Sequence, residues 1–290
     1  MKMNAKSYKE GKVLSFLKKF SHHKIATVAA IIFILEVLVI LLLPLFFNID
    51  AITCDFTYIG KAPNAVHWLG TDEAGRDIFA RIICGGRVSL IVGILATALS
   101  TLIGVPLGVI AGYYQGQLGN VIMRVTDMFM SFPSMVLSLV LVAVVGPSIG
   151  TIVFAIGILG WTRPCRLLYG SIRAVRSREY VEAAIAIGTS NFKVMTKYVL
   201  PNAISPLWVS LSFSISSAII TESSLSFLGA GIQVPQSSWG NIINAAKKMA
   251  VLTDKVWIWI PASVVLLVTV VCINLIGEGI RDALDPKMRR

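Results

Sequence analysis

The sequence predicts an all-α membrane protein with six transmembrane helices and both termini in the cytoplasm. Of its 290 residues, 56% are hydrophobic and only 14% are charged, against about 25% charged residues in a typical soluble domain. Six stretches approach the roughly 20 mostly apolar residues that a helix needs to cross the hydrocarbon core. Lys and Arg are distributed unevenly between the connecting segments, and this unevenness predicts the orientation.

The predicted spans follow one another along most of the chain. They cover residues 26–47, 88–112, 128–145 (with a start as early as 121), 149–168, 204–228 and 256–276. The first stretch follows a Lys-rich tail, but its apolar part is too long for a cleaved signal peptide and no small-x-small site follows it. We therefore expect an uncleaved anchor, with cytoplasmic tails at 1–24 and 281–290 and a membrane domain at 25–280.

The basic residues place the loops. Seven Lys and Arg precede residue 25, seven lie between Arg163 and Lys197, four follow residue 280, and Arg124 lies on the same side. The opposite side holds seven, in segments 48–87 and 230–255. Cytoplasmic loops carry the excess of positive charge, so these two segments are predicted to lie outside. The net charge of +11 thus reflects membrane topology, and with no nucleic-acid motif in the sequence no nucleic acid is expected as a partner.

The predicted cytoplasmic segment 179–202 has the sequence EYVEAAIAIGTSNFKVMTKYVLPN. A helix is predicted over 179–187, ended by Gly188 in the left-handed conformation, and a second helix is predicted to begin at 189–191 and stop at Pro201. The two helices have apolar faces, formed by Tyr180, Val181, Ala184 and Ile187 in the first and by Phe192, Met195 and Val199 in the second. Periodicity leaves two interpretations open, a hairpin on lipid headgroups and a docking element for a cytoplasmic partner.

The same segment resembles the EAA loop of permease subunits of ATP-binding cassette importers. The family pattern is EAA, three residues, Gly, nine residues and Ile-x-Leu-Pro, and it is matched at Glu182, Ala183, Ala184, Gly188, Leu200 and Pro201. Tyr198 stands in place of the Ile. The peptide and nickel branch of the family varies at this position and often continues Leu-Pro-Asn, as this chain does.

Further stretches resemble that branch in the same order along the chain. They are HWLGTDEAGRDIFARIICGGRVSL (67–90), MRVTDMFMSFP (123–133), TESSLSFLGAG (221–231), SWG (238–240) and NLIGEGIRDALDPKMRR (274–290). The chain is therefore identified as a member of the dipeptide, oligopeptide and nickel branch of these permeases. The resemblance implies the type I importer permease architecture and a place in a prokaryotic cell membrane, embedded in the lipid bilayer.

The resemblance also implies partners. Such a permease forms half of a pore with a second homologous permease subunit, engages one of two cytoplasmic ATPases through its EAA loop, and receives cargo from an extracytoplasmic substrate-binding protein. The implied ATPase-coupling residues are Glu182, Ala183, Ala184, Gly188, Phe192, Leu200 and Pro201. Di- and oligopeptides are the expected cargo, and nickel or a metal chelate is the alternative.

The sequence contains no GxxxxGK[ST] phosphate-binding loop. ATP and Mg are therefore expected on the partner subunits, and this chain is expected to bind no cofactor, to have no catalytic residues and not to be an enzyme. A transporter driven by an ion gradient, with Glu36 and Glu222 as proton carriers, is the alternative class, although no inverted repeat is visible. An intramembrane hydrolase would need a motif such as HExxH, which is absent.

Several charged residues fall inside predicted spans. Glu222, with Ser223 and Ser226, is the candidate for lining the translocation path, and a hydrogen-bonded packing cluster is the alternative. Glu36, in the middle of the first span, is expected either to contact the partner permease or the path, or to be a protonated or pore-shielded structural residue. Arg124 and Asp127 are expected to pair on one helix.

In the predicted external segment 48–87, the candidates for docking the binding protein are Asp72, Arg76 and Asp77. Asp72 is also expected to cap a following helix. Cys54 and Cys84 lie in this segment and are either bonded or free. The histidines and cysteines form no ligand pattern, so no metal site is expected.

Overall fold

The computed structural model describes residues 19–47 and 49–284, which are mainly helical and contain one isolated β-bridge between Thr71 and Asp77. The helices are α1 (Lys24–Phe46), α2 (Ile78–Tyr114), α3 (Gly116–Met130), α4 (Ser134–Val145), α5 (Ile149–Gly160), α6 (Thr162–Arg176), α7 (Glu179–Ala186), α8 (Asn191–Lys193), α9 (Leu200–Ala203), α10 (Ser205–Leu228), α11 (Trp239–Asn244), α12 (Met249–Asp254) and α13 (Ile260–Leu284). Short 3-10 turns lie at Phe56–Tyr58, Ala245–Lys247 and Val256–Ile258, and a π-helix, Val194–Val199, joins α8 to α9.

Five helical segments of the described part are long and apolar enough to cross a membrane. The pair α3 and α4 makes a sixth if two helices bent by 77° at their break count as one span. On that count the predicted number of spans is confirmed, but the third span is not straight. The break ends at Pro133, whose ring disfavours helical backbone at the preceding residue.

The long helix α2 lies at the centre of the fold. It begins at Ile78, well before the predicted start at residue 88, and packs against α5, α6 and α10. A Cβ atom at Gly104 would lie 2.3 Å from the carbonyl oxygen of Trp161, and one at Gly108 would lie 2.4 Å from that of Cys165. Only glycine at these two positions allows α6 to approach so closely, as small residues do between membrane helices.

Helix α1 lies at the edge of the fold, against α13 and α2, and leaves most of its apolar side chains exposed, as a lipid-facing helix does. Its one acidic residue, Glu36, faces α13, where the Thr269 hydroxyl donates a hydrogen bond to Glu36 Oε1. The other carboxylate oxygen is buried without a hydrogen-bond partner among the described residues. Within this chain Glu36 therefore joins the first helix to the last.

Candidate functional site

The first helix of segment 179–202, the EAA segment, ends as the sequence predicts. Gly188 has a φ of +82°, which an L-residue with a side chain adopts only at a cost. Its N–H donates to the Ile185 carbonyl at 2.9 Å, and the Thr189 N–H donates to the Ala184 carbonyl at 3.2 Å. These two bonds form a Schellman motif, which satisfies carbonyl groups that a helix end otherwise leaves unpaired.

One side of the EAA segment is fixed to the membrane helices. Val181, Val194 and Val199 are fully buried and pack with Leu168 and Ile172 of α6. Burying each of these side chains contributes about 1.5–3 kcal/mol. The buried face thus attaches the EAA segment to α6.

A hydrogen bond adds to this apolar attachment. The Tyr113 hydroxyl, at the end of α2, donates to Asn191 Oδ1 at 3.0 Å. The guanidinium of Arg176 lies over the Tyr113 ring at 5.2 Å, within the range of a cation–π contact. The EAA segment therefore contacts the ends of both α2 and α6.

The other side of the EAA segment is exposed and largely apolar around the turn. Ile187 is 81% exposed and Phe192 is 71% exposed, and Gly188 lies between them. Glu182 and Ala183 are exposed on the same segment. Large apolar side chains grouped on a surface are typical of an interaction site.

The remaining predicted coupling residues are placed differently. Ala184 is buried beside Val181, Leu200 is half-buried and Pro201 is exposed. The predicted apolar faces are thus only partly correct, because Ile187 and Phe192 point away from the core that holds Val181 and Val199. Coupling through these residues stays a prediction. Because Ala184 is buried, it contributes to the shape of the segment and not to its exposed surface.

The predicted stop at Pro201 is wrong, since helical structure continues to Ala203. A proline inside an α-helix removes one hydrogen bond and its ring clashes with the carbonyl four residues earlier. Here the preceding turns, Val194–Val199, form a π-helix, whose wider turn moves that carbonyl away. The same widening places Val194 and Val199, five residues apart, on one buried face.

Glu222 is fully buried in a cluster of hydroxyl groups. Its carboxylate accepts hydrogen bonds from Ser89 Oγ of α2 at 3.0 Å and from Ser226 Oγ at 2.7 Å, while the Ser223 hydroxyl is 3.4 Å away. Ser89 Oγ also accepts a bond from the Trp239 N–H at 3.3 Å. These bonds link α10, α2 and α11. The structure thus contains the hydrogen-bonded packing cluster that was the alternative interpretation of Glu222.

The cluster extends to the predicted external segment 230–255. Ser238 Oγ lies 3.4 Å from Ser226 Oγ, and it accepts a bond from the Asn241 N–H at 3.2 Å to cap α11. Ser89 and Ser238 were not predicted, because they are far from Glu222 in the chain; the signals for them were the family-like stretches 67–90, which contains Ser89, and SWG, which contains Ser238. Lining of the translocation path by Glu222, Ser223 and Ser226 stays a prediction.

Asp72 organises a turn and does not cap a helix, so that prediction is wrong. Its Oδ1 accepts hydrogen bonds from the backbone N–H groups of Ala74 at 2.8 Å and Arg76 at 2.9 Å. Its Oδ2 binds the guanidinium groups of Arg76, at 2.7 Å, and of Arg81. Because both Asp72 and Arg81 are buried, this carboxylate serves the fold first, and its predicted contact with a binding protein is untested.

The cap of α2 is Asp77, five residues beyond the predicted position. Its Oδ1 accepts a bond from the Ala80 N–H at 2.7 Å, and its Oδ2 lies 2.7 Å from His67 Nδ1. His67 also approaches Asp55, whose pKa is held below its ordinary value by hydrogen bonds from the hydroxyl and the backbone N–H of Thr57. All three predicted docking residues thus have partners within the chain.

The structure also shows the ion-pair partner of Asp127 and the state of Cys54 and Cys84. Asp127 pairs with Arg166 of α6 and not with Arg124, because the side chains of adjacent helices meet there. Cys54 and Cys84 are free thiols. Among residues 19–47 and 49–284, no group of three or more His, Cys, Asp or Glu side chains is arranged to hold a metal ion.

Residues 104–290 match a protein family described as "Binding-protein-dependent transport system inner membrane component". The matched part begins within α2 and includes the EAA segment and Glu222, Ser223 and Ser226 of α10.

Several characterised proteins are similar over most of the chain. The glutathione transport system permease protein GsiD of Pectobacterium atrosepticum is 37% identical, covering 81% of this chain and 77% of that protein. The oligopeptide transport system permease protein OppC of Bacillus subtilis is 35% identical, covering 94% and 88%. The dipeptide transport system permease protein DppC of the same bacterium is 38% identical, covering 79% and 71%.

The fold is also similar to that of a solved structure. A chain of the MetNI methionine ABC transporter, in an inward-facing conformation, superposes with a TM-score of 0.60 at 15% identity and covers 71% of this chain and 97% of that chain. At this identity the likeness concerns the fold.

Proposed function

Because this chain belongs to the family of binding-protein-dependent transport system inner membrane components, we propose that it forms half of the pore through which an ATP-driven importer carries di- and oligopeptides. Family membership confirms the predicted class: a permease subunit of an ABC importer, a transport subunit and not an enzyme, in the prokaryotic plasma membrane. It implies ATPase and binding-protein partners and sets aside the ion-gradient-driven alternative.

The peptide cargo is supported by the relatives. Those described above are named for the transport of glutathione, oligopeptides and dipeptides, and all three are peptides with a free carboxylate. Nickel or a metal chelate is the second candidate, on the sequence resemblance alone.

The coupling mechanism is supported chiefly by one observation, the exposed apolar surface around Gly188 on a segment whose other face is buried against α6. An ATPase that binds Ile187 and Phe192 would move Val181 and Val199 with them. Because these side chains pack tightly on α6, the motion would tilt that helix and change access to the pore. A second, homologous permease would do the same with the other ATPase. ATP and Mg would act only on the ATPases.

Reconstitution tests the proposal. The permease pair, the ATPases and the binding protein are placed in proteoliposomes, and ATP-dependent uptake of a labelled dipeptide, a pentapeptide, glutathione and a nickel chelate is measured. We expect uptake of the peptides, lost with Glu182→Lys or Gly188→Asp and kept with Asp254→Lys, a matched charge reversal at an exposed site elsewhere.

The outcomes separate the parts of the proposal. Uptake of the nickel chelate alone would contradict the peptide cargo but not the importer. Normal peptide uptake by Glu182→Lys and Gly188→Asp, with normal ATPase co-purification, would contradict coupling through the EAA segment.

A further inference from the structure

A cavity of about 260 Å³ lies between the break that separates α3 from α4 and the junction of α5 and α6. Phe132, in the break between α3 and α4, lines it on one side. Gly160 and Thr162, which flank the junction of α5 and α6, line it on another. Non-helical backbone at membrane depth is tolerated only where it is buried in protein or lines a watery cavity.

The cavity contains one cationic side chain. Among the described residues that line it, Arg163 alone is charged. It belongs to the candidate span Ile149–Arg176, and its Nη1 donates to Ser217 Oγ at 3.3 Å. Within the described part of the chain, no carboxylate lies within ion-pair distance of Arg163. The guanidinium of Arg163 is exposed, and basic side chains in spans face water-filled cavities and mark substrate pathways.

The neighbouring arginine shows the contrast. Arg166, one turn further along α6, pairs with Asp127 of α3 and does not line the cavity. The structure thus compensates one of these two charges within the chain and leaves the guanidinium of Arg163 open to the cavity.

The rest of the lining is rich in hydroxyl groups. Ser100 of α2, Ser138 of α4, and Ser214 and Thr221 of α10 supply them. The hydroxyl of Thr97, also in the lining, is buried without a hydrogen-bond partner among the described residues. A buried hydroxyl without a partner is unfavourable.

We infer that this cavity binds the free carboxylate of the cargo during its passage, with Arg163 as the carboxylate-binding residue. The planar guanidinium binds carboxylates through paired, charge-assisted hydrogen bonds, and the surrounding hydroxyls can bind adjacent peptide groups. The cavity is slightly smaller than typical small-molecule sites of about 300–1,000 Å³, so it fits one end of a short peptide. The inference rests on the proposed function, because it takes a peptide as the cargo.

The test compares one labelled peptide with its C-terminal amide in the complete reconstituted importer. The pair is chosen so that the isolated binding protein binds both forms with equal Kd by calorimetry, which confines any preference to the membrane subunits. Uptake is measured for the wild type, Arg163→Gln, Arg163→Lys and the control Arg166→Gln, with assembly checked by co-purification of the ATPases.

We expect the wild type to import the acid faster than the amide. Arg163→Gln should lower uptake of the acid about tenfold or more while changing uptake of the amide little. Arg163→Lys, which keeps the charge, should retain part of the preference, and Arg166→Gln should retain all of it.

Equal slowing of both forms by Arg163→Gln, or an unchanged preference, would overturn the inference and leave the proposed function intact. If Arg163→Gln does not assemble, the Arg163→Lys complex provides the test. Complete loss of its preference for the acid over the amide would also overturn the inference. A wild-type complex that imports neither form would instead contradict the proposed function.

Discussion

Substitution of Gly188 gives the sharpest test of how the EAA segment works. The residue has a φ of +82°, and a Cβ atom added there would have nothing within 4 Å. A side chain at this position therefore causes backbone strain and no steric clash. The strain depends on the residue type: Asn adopts left-handed backbone readily, Ala does so at a cost, and a β-branched residue is a strong outlier.

The magnitude follows from the backbone alone. A left-handed Ala costs about 1–2 kcal/mol, which changes the population of the native turn by a factor of about 5–30. If the free segment relaxes and must regain the turn on docking, the affinity for the ATPase falls by that factor. We expect the affinity for the ATPase to fall less with Gly188→Asn, and more with Gly188→Val, than with Gly188→Ala.

The assay is a titration of the purified ATPase with the detergent-solubilised permease pair carrying each variant, with the thermal midpoint of the pair measured in parallel. Because the turn is exposed, the midpoint should change little across the series. Equal affinities for Asn, Ala and Val variants would refute the reasoning, since the three differ in backbone strain.

Three further predictions concern buried residues. Val199→Ala should lower the free energy of unfolding by about 2 kcal/mol, measured by denaturation in detergent. Asp72→Ala should cost about 3–5 kcal/mol, because it leaves the buried Arg81 without its counter-ion; a stable variant would contradict that account. Glu222→Ala should lower the free energy of unfolding by about 1–3 kcal/mol, because it leaves the Ser89 hydroxyl without its acceptor. Glu222→Gln should fold stably and import peptide. Loss of uptake in that stable variant would favour a role of Glu222 in the translocation path.

Local features of the chain were predictable from the sequence. The apolar stretches predicted the number of spans because each approaches the length that crosses a bilayer, although the third is a pair of helices bent by 77°. The turn at Gly188 followed from a glycine placed between two amphipathic stretches, and its left-handed backbone confirms it. These features depend on neighbouring residues, which the sequence shows directly.

Features that depend on distant residues were not predictable. Ser89 and Glu222 are 133 residues apart, and nothing local marks them as partners. Asp72 was expected to cap a helix, but the buried Arg81 binds its carboxylate, and the helix begins later, at Ile78, with Asp77 as its cap. Pro201 was expected to end a helix, but the π-helix before it accommodates the proline ring. The buried side chains of that π-helix pack against α6, which is distant in the sequence.

The central claim, that an ATPase binds the exposed face of the EAA segment, is tested most directly by photo-crosslinking in intact membranes. A photoreactive phenylalanine analogue is placed at Phe192, and at Trp68 as an equally exposed aromatic control in the predicted external segment. We predict that Phe192 crosslinks to the ATPase, with a yield that changes on addition of ATP, and that Trp68 does not. Crosslinking of Phe192 to lipid alone would contradict the account and favour a hairpin lying on the membrane surface.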